Sequence, residues 1–133
     1  MVLLDSDIMV DLIRNFPPAV AWLRETWARG ERVSLPGFVV MELVQGCRST
    51  EETNKVEKEL QNYNIRWPSR ATCKRALTAY TRYHLSQGLG MIDSLIGQIA
   101  EDQRLPLCTF NKKHFETIFK ITTIQPYKRR SSE

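Results

Sequence analysis

The sequence predicts an α/β domain in which a parallel sheet is covered by helices on both faces. Short apolar segments alternate with helical segments along the 133 residues. The strand candidates are continuous apolar runs, such as "VLL" at 2–4 and "LPLC" at 105–108. Continuous runs are typical of strands that are buried on both faces, and alternation with helices is typical of parallel strands joined by crossovers. We therefore expect one domain over 1–133 with four to five parallel strands.

Strands and helices alternate in the first half of the chain. In order, we predict a strand at 2–5, helices at 6–15 and 17–29, a strand at 32–36, and helices at 37–46 and 49–63. Asn15 ends the first helix, and the prolines that follow can begin the second, because a first turn tolerates a missing N–H. Ser49 and Glu52 have the spacing of a capping box at the start of the polar helix.

The second half continues the alternation and ends in a basic tail. In order, we predict a weak strand at 64–67, helices at 69–88 and 91–104, a strand at 105–110, a short helix at 111–118 and a strand at 120–124. Residues from about 126 to 133 are basic and polar, so we expect a flexible tail there.

Composition limits the classes of protein to which the chain can belong. The apolar runs are too short to span a bilayer, and the N-terminus carries acids where a signal peptide needs positive charge. Three cysteines without a C-x-x-C pair argue against a disulfide framework, so we expect small buried thiols in a reducing cytoplasm. The net charge of +4 weakly favours a polyanionic partner such as nucleic acid.

Three acids interrupt apolar surroundings in separate predicted elements. Asp5 follows "VLL", Glu42 lies inside "FVVMELV", and Asp93 lies inside "MIDSLIG". Each one alone can be a helix cap or a partly exposed side chain. If the three converge, a proton or a cation must relieve their mutual repulsion, and a hard divalent ion such as Mg²⁺ or Mn²⁺ suits carboxylate oxygens. Asp5 also follows a strand at its carboxyl end, where ligand crevices form in parallel sheets.

Four motifs follow one another along the chain: "LLDSDIMVDLI", "FVVMELVQG", "MIDSLIGQIA" and "LCTFNKKHF". In this order and approximate spacing they resemble PIN-domain ribonucleases, and most of all the VapC-type toxins of toxin–antitoxin pairs. The resemblance extends over nearly the whole chain. The resemblance implies a three-layer α/β/α fold in which the first strand is central, beside the strand of the fourth motif. It also implies metal-dependent cleavage of RNA that leaves a 3′-hydroxyl and a 5′-phosphate.

The resemblance assigns roles to residues at matching positions. Asp5, Glu42 and Asp93 match the family's acidic catalytic and metal site, which would hold one or two Mg²⁺ or Mn²⁺ ions. Substrate-facing or supporting positions are matched by Ser6, Asp7, Thr109 and Asn111. Many members have a fourth acid where this chain has Asn111, which puts a second metal site in doubt. Asp11 is interpreted as a surface acid.

Basic residues near the predicted crevice are candidates for guiding RNA. They are Arg14, Lys112, Lys113 and, as a possible substrate contact, His114, together with the Arg and Lys positions of 69–87. An ordinary solvated surface is the alternative for each of them. Trp22, Trp27 and Trp67 can stack on bases, although helical spacing favours core packing for Trp22.

The resemblance also implies partners, and two other functions remain as alternatives. The implied partners are a cognate antitoxin and a second copy of the chain, with the helices at 18–29 and 36–46 as possible dimer surfaces. One alternative is an inactive PIN-like module that binds RNA or a protein. The other is a phosphatase of the haloacid dehalogenase type, in which Asp5 would be the nucleophile and Asp7 the acid/base. That phosphatase would leave Glu42 unexplained and would need acidic motifs further downstream.

Overall fold

The computed structural model describes residues 1–129 and has a five-stranded sheet among seven helices. The strands are β1 (Val2–Leu4), β2 (Val33–Pro36), β3 (Asn64–Arg66), β4 (Leu107–Cys108) and β5 (Thr123–Ile124). The helices are α1 (Ser6–Ile13), α2 (Pro17–Ala28), α3 (Gly37–Gln45), α4 (Thr50–Leu60), α5 (Arg70–Gln87), α6 (Met91–Gln103) and α7 (Lys112–Ile118). The predicted elements are confirmed, with ends that differ by a few residues.

All four strand pairings are parallel, and the strand order is β3-β2-β1-β4-β5. The expectation that β1 is central and lies beside β4 is therefore confirmed. The side chains of Leu3, Leu4, Leu35 and Leu107 are fully buried, because helices cover both faces of the sheet. The carboxyl ends of β1, β2 and β4 lie at one edge, and the residues that follow them come close together there.

Local signals explain where the helices begin and end. The Ser49 hydroxyl accepts a hydrogen bond from the Glu52 N–H at 3.1 Å, as the capping-box spacing predicts, while the Glu52 carboxylate accepts from the Arg48 N–H. Asn15 and Gly30 have positive φ angles and follow α1 and α2, where they end each helix. Gly97 on α6 lies against the ring of Phe119. A side chain at this position would collide with the ring and prevent the close packing of α6 against Phe119.

Two expectations about burial need correction. Cys108 is buried, but Cys47, in the loop between α3 and α4, and Cys73, on α5, are only partly buried. Asp11 is not a simple surface acid: its side chain is 15% exposed and forms an ion pair with Arg129.

The expectation of a flexible tail from about residue 126 is wrong for residues 126–129. Residues 126–129 return to the body of the protein, where the ring of Tyr127 packs against Phe16 and Phe110. Aromatic packing and the ion pair to Asp11 hold a segment whose composition alone resembles a solvated end. Residues 130–133, which belong to the same prediction, lie outside the described residues. No helix within 1–129 is long and apolar enough to cross a bilayer.

Candidate metal and nuclease site

The structure brings Asp5, Glu42 and Asp93 together at the carboxyl edge of the sheet. Asp5 directly follows β1, Glu42 lies in the second turn of α3, and Asp93 lies in the first turn of α6. One carboxylate oxygen from each residue lies within 4.8 Å of those of the other two. We call these three residues the acid cluster.

Burial and like charge both work against ionisation of the acid cluster. Burial, and after it the negative charge of Asp7, raises the pKa of Asp5 to about 7. Burial is also the largest cause of the raised pKa of Glu42, followed by the charge of Asp93. For Asp93, burial raises the pKa and the nearby His114 opposes it. A cation among the three carboxylates would stabilise their ionised forms and so oppose these shifts.

The donor set of the acid cluster suits a hard divalent cation. All of the ligand atoms are carboxylate oxygens, which Mg²⁺ and Mn²⁺ prefer over softer ligands. In addition, Glu42 Oε1 is buried and has no hydrogen-bond partner within the described part of the chain. Such an atom is costly to leave unpaired, and coordination to a cation would satisfy it.

Hydrogen bonds hold the Asp5 carboxylate in one orientation. The Ser6 N–H donates to Asp5 Oδ1 at 2.7 Å, and the Thr109 hydroxyl donates to Asp5 Oδ2 at 2.8 Å. The Asn111 N–H in turn donates to the Thr109 hydroxyl oxygen at 3.0 Å, which directs the hydroxyl proton toward Asp5. Two of the supporting residues predicted from the motifs, Ser6 and Thr109, therefore contact the acid cluster directly.

Asp7 fastens α1 to the loop that follows β4. Its carboxylate accepts hydrogen bonds from the Ile8 N–H at 2.8 Å and from the Phe110 N–H at 2.9 Å. Burial raises the pKa of Asp7, and these two backbone donors oppose the rise. Asp7 is outside the group of three converging acids, but its charge raises the pKa of all three of them.

The remaining predicted residues lie around the acid cluster at different distances. His114 is half-buried, and its Nε2 lies 4.0 Å from Asp93 Oδ2. Asn111 is exposed just before α7 and makes no side-chain cap, so it contributes through its backbone. Lys112 and Lys113 begin α7, and Lys113 is exposed.

A cleft of about 440 Å³ opens beside the acid cluster between α1, α3 and α4. Its lining includes Ser6 and Glu42 from the site and apolar side chains such as Val10 and Ile13. Arg14, a predicted RNA-guiding residue, also lines it. Lys55 lies in the same lining but was missed, because it belongs to a helix whose alternating charges resemble an ordinary solvated surface.

The three tryptophans differ in the surface that they leave open. Trp22 is half-buried and packs near Tyr127, as its helical spacing predicts. Trp27 and Trp67 are 42% and 57% exposed, so part of each ring remains available for stacking. Sequence analysis also missed Tyr127 and Arg129, whose partners lie at the opposite end of the chain.

Comparison with known proteins identifies the family. A family model described as PIN domain matches residues 2–120. The chain is 30% identical over 116 residues to Ribonuclease VapC10 from Mycobacterium tuberculosis, and the match covers 86% of each protein. The chain therefore belongs to the PIN domain family. This membership excludes the phosphatase alternative.

Solved structures share the fold. The VapBC2 structure from Rickettsia felis, bound to a DNA fragment from its promoter, matches with a TM-score of 0.75 and 21% identity over 93% of this chain and 98% of that one. A toxin–antitoxin complex from Klebsiella pneumoniae matches with a TM-score of 0.73 and 23% identity over 96% and 99% of the two chains. At these identities the likeness extends to the fold, and the predicted PIN-like α/β architecture is confirmed.

Proposed function

We propose that this protein is a metal-dependent endoribonuclease that hydrolyses RNA phosphodiester bonds, as the toxin of a VapBC-type pair. The observation that carries the proposal is the acid cluster, with three carboxylates within 4.8 Å of one another. The buried Glu42 oxygen without a partner supports a cation at this place. Membership of the PIN domain family and the likeness to Ribonuclease VapC10 support RNA as the substrate.

The proposed metal ligands are Asp5, Glu42 and Asp93, with Mg²⁺ or Mn²⁺ as the cation. When bound, such an ion stabilises charge that develops on the phosphate and makes a water easier to deprotonate. The protein's own part is to bring the three carboxylates together and to orient Asp5. Thr109 and the Ser6 N–H orient Asp5, while Asp7 adds negative charge that favours a cation. Asn111 adds no carboxylate to the site. The three acids of the acid cluster are therefore the proposed carboxylate ligands, whether one ion binds or two.

RNA binding is proposed to use the basic residues that border the acid cluster. Arg14 and Lys55 line the cleft that reaches Glu42, and Lys112 and Lys113 begin α7 beside the other side of the site. These charges neutralise phosphates on either side of the bond to be cut. His114, close to Asp93, is positioned to touch the substrate phosphate rather than to bind the cation.

The proposed protein partners are a cognate antitoxin and a second copy of the chain. VapBC complexes from other organisms have the same fold as this chain, which supports an antitoxin partner. An arginine of that partner placed among the three acids would pair with them by charge-assisted hydrogen bonds. On α3, Met41 and Val44 are 52% and 43% exposed, which supports the helix at 36–46 as a dimer surface. The three free cysteines fit the cytoplasm as the proposed location.

The decisive experiment is an RNA cleavage assay with structured RNA in Mg²⁺, in Mn²⁺ and in a chelator. We expect cleavage that requires the metal and leaves 5′-phosphate ends. Asp5→Ala, Asp93→Asn and Glu42→Gln should each lower the rate at least about a hundredfold, because a metal site contributes several kcal/mol to the transition state. Glu57→Gln is the matched control for Glu42→Gln, since Glu57 is exposed on α4.

Two outcomes would contradict the proposal. Cleavage that persists in the chelator would exclude the metal mechanism. RNA binding without cleavage in either metal, for every RNA tested, would favour the inactive binding module, which the absence of an acid at Asn111 also favours.

A further inference from the structure

The segment after β5, residues 125–129, crosses back over the N-terminal helix beside the acid cluster. We call it the strap. It lies beyond residue 120, where the match to the PIN domain model ends. Its composition gives no reason to expect order, yet two of its side chains make specific polar contacts with α1.

Asp11 is the anchor of the strap on α1. The Tyr127 hydroxyl donates a hydrogen bond to Asp11 Oδ2 at 2.7 Å, and Arg129 Nε donates to the same oxygen at 2.9 Å. The Asp11 side chain is only 15% exposed, whereas the Arg129 side chain is 35% exposed, so the acid is the shielded partner of the pair. The charge-assisted bonds explain why an acid on α1 is held away from solvent.

The same two strap residues also contact Phe110, in the loop after β4. The Arg129 guanidinium lies over the Phe110 ring, 4.1 Å from its centroid, and the Tyr127 ring meets it edge-on at 5.2 Å. Such cation–π and aromatic contacts favour one orientation of the ring. The strap therefore covers Phe110 from outside.

Phe110 connects the strap to the acids at the start of α1. The Phe110 N–H donates to the Asp7 carboxylate, and Arg129 Nη2 donates to the Asp7 carbonyl oxygen at 3.1 Å. The strap thus fixes Asp7 directly and through Phe110. The residue before Phe110 is Thr109, whose hydroxyl orients Asp5.

We propose that the strap is a positioning element of the nuclease site, in which Tyr127 and Arg129 act through Asp7 and Phe110 to hold Asp5 in the orientation that binds the cation. This inference rests on the proposed metal-dependent function and extends it to residues outside the matched family region. Neither strap residue is catalytic in this scheme, because each acts on the cation site through other residues. Loss of the strap contacts weakens metal binding before it unfolds the domain.

The experiment compares Arg129→Ala with Lys128→Ala, a neighbouring cation on the exposed side of the strap. Binding of Mn²⁺ to the RNA-free protein is measured by electron paramagnetic resonance, and exchange of the Phe110 amide hydrogen by NMR. In Arg129→Ala we expect Mn²⁺ affinity to fall about threefold to tenfold, somewhat less than for a residue that bonds a ligand directly. The Phe110 amide should exchange at least about tenfold faster, and Lys128→Ala should change neither quantity.

Two milder variants keep the test valid if Arg129→Ala does not fold. Tyr127→Phe keeps the ring packing and removes only the hydroxyl that bonds Asp11. Arg129→Lys keeps the charge but cannot donate at once to Asp11 and to the Asp7 carbonyl. Each should weaken Mn²⁺ binding by a smaller factor than Arg129→Ala, and excess metal should restore the cleavage rate of both.

The outcomes separate this inference from the proposed function. If the strap variants lower the melting temperature but leave Mn²⁺ affinity and Phe110 exchange unchanged, the strap only stabilises the fold and the inference fails. If Mn²⁺ affinity falls as expected but the unmodified protein cuts no RNA, the positioning role stands and the nuclease proposal fails.

Discussion

The two ends of α6 each carry an aspartate, and the two have opposite electrostatic environments. Asp93 lies in the first turn, among other acids, and burial raises its pKa. Asp102 lies in the last turn, about 13 Å further along the axis. Burial alone would raise the pKa of Asp102, but hydrogen bonds from Arg75, Thr72 and Gln98 lower it below its usual range.

The helix dipole predicts the reverse of this pattern. A negative charge is favoured at the N-terminus of a helix, where Asp93 lies, and disfavoured at the C-terminus, where Asp102 lies, by about 0.3–1 kcal/mol. Hydrogen bonds to a charged group contribute about 1.5–3 kcal/mol. Asp102 receives several of these, including a 2.6 Å bond from Arg75 Nη2. Burial at Asp93 and hydrogen bonds at Asp102, rather than the place of each residue on the helix, therefore decide the direction of the two pKa shifts.

The comparison teaches what distinguishes a structural acid from a functional one in this chain. Asp102 has its cation supplied by the protein, as Arg75, so its charge is already balanced. Asp93 has two acids beside it and a histidine 4.0 Å away. An acid cluster arranged in this way is stabilised when a cation binds from solution. The three predictions that follow test this difference.

The largest expected effect is on the pH dependence of stability in the metal-free protein. The pKa of Asp5 is about 7 in the folded protein, whereas its ordinary value, which applies in the unfolded chain, is 3.8. Between these values the folded state holds a proton that the unfolded state has lost. Stability therefore falls as pH rises through this window, by up to about 1.4 kcal/mol per pH unit for this one group. Asp102, with its lowered pKa, contributes stability that is lost only when the pH falls below about 3.8.

Urea unfolding between about pH 5 and about pH 7.5, in a chelator and in excess Mg²⁺, measures this effect. In the chelator, stability should decrease with pH. In Mg²⁺ the trend should weaken or reverse, because the ion binds the ionised carboxylates. A metal-free protein whose stability rises across this range would show that the acid cluster is not desolvated.

Substituting the two aspartates of α6 should change the free energy of unfolding by a smaller amount, and the two variants should change it in opposite directions. In the metal-free protein at neutral pH, Asp93→Asn should raise the free energy of unfolding by about 1 kcal/mol, since it removes one of the repelling charges. Asp102→Asn should lower it by about 1–2 kcal/mol, since the ion pair with Arg75 and its hydrogen bonds are lost. Thermal unfolding in a chelator compares the two, and about 1 kcal/mol corresponds to a shift of about 4 °C.

The RNA assay gives the same pair of variants a second readout. Asp93→Asn should be inactive although more stable, and Asp102→Asn active although less stable. If both variants lost stability and both kept activity, the distinction between the two ends of α6 would be wrong.

The partners of these acids show how far sequence reasoning extends. The strands and the convergence of Asp5, Glu42 and Asp93 follow from local apolar runs and from motifs that resemble a known family. The ion pair between Asp102 and Arg75 does not, because polar residues on two amphipathic helices have many possible partners. Asp11 resembled a surface acid for a similar reason: Tyr127 and Arg129 lie more than a hundred positions away along the chain. Only the folded chain reveals which distant side chain approaches a given carboxylate.

The smallest expected effect concerns the cations near the two ends of α6. Lys113 is exposed at the start of α7, near the acid cluster, so it is free to contact RNA phosphates. Arg75 is held by Asp102. In a Glu42→Gln background, which binds RNA without cutting it, Lys113→Ala should weaken RNA binding about twofold to fivefold. It should also reduce the slope of log affinity against log salt by about 0.7, the value for one phosphate contact on a single strand.

Arg75→Ala provides the contrast, measured by fluorescence anisotropy with the same labelled RNA over a series of salt concentrations. It should lower the melting temperature, because Asp102 loses its partner, and leave the salt slope unchanged. A change of slope in Arg75→Ala that equals the change in Lys113→Ala would mean that RNA extends along α5 to the far end of α6. The acid cluster would then be one part of a longer RNA-binding surface. Arg75 would leave Asp102 and pair with an RNA phosphate when RNA binds.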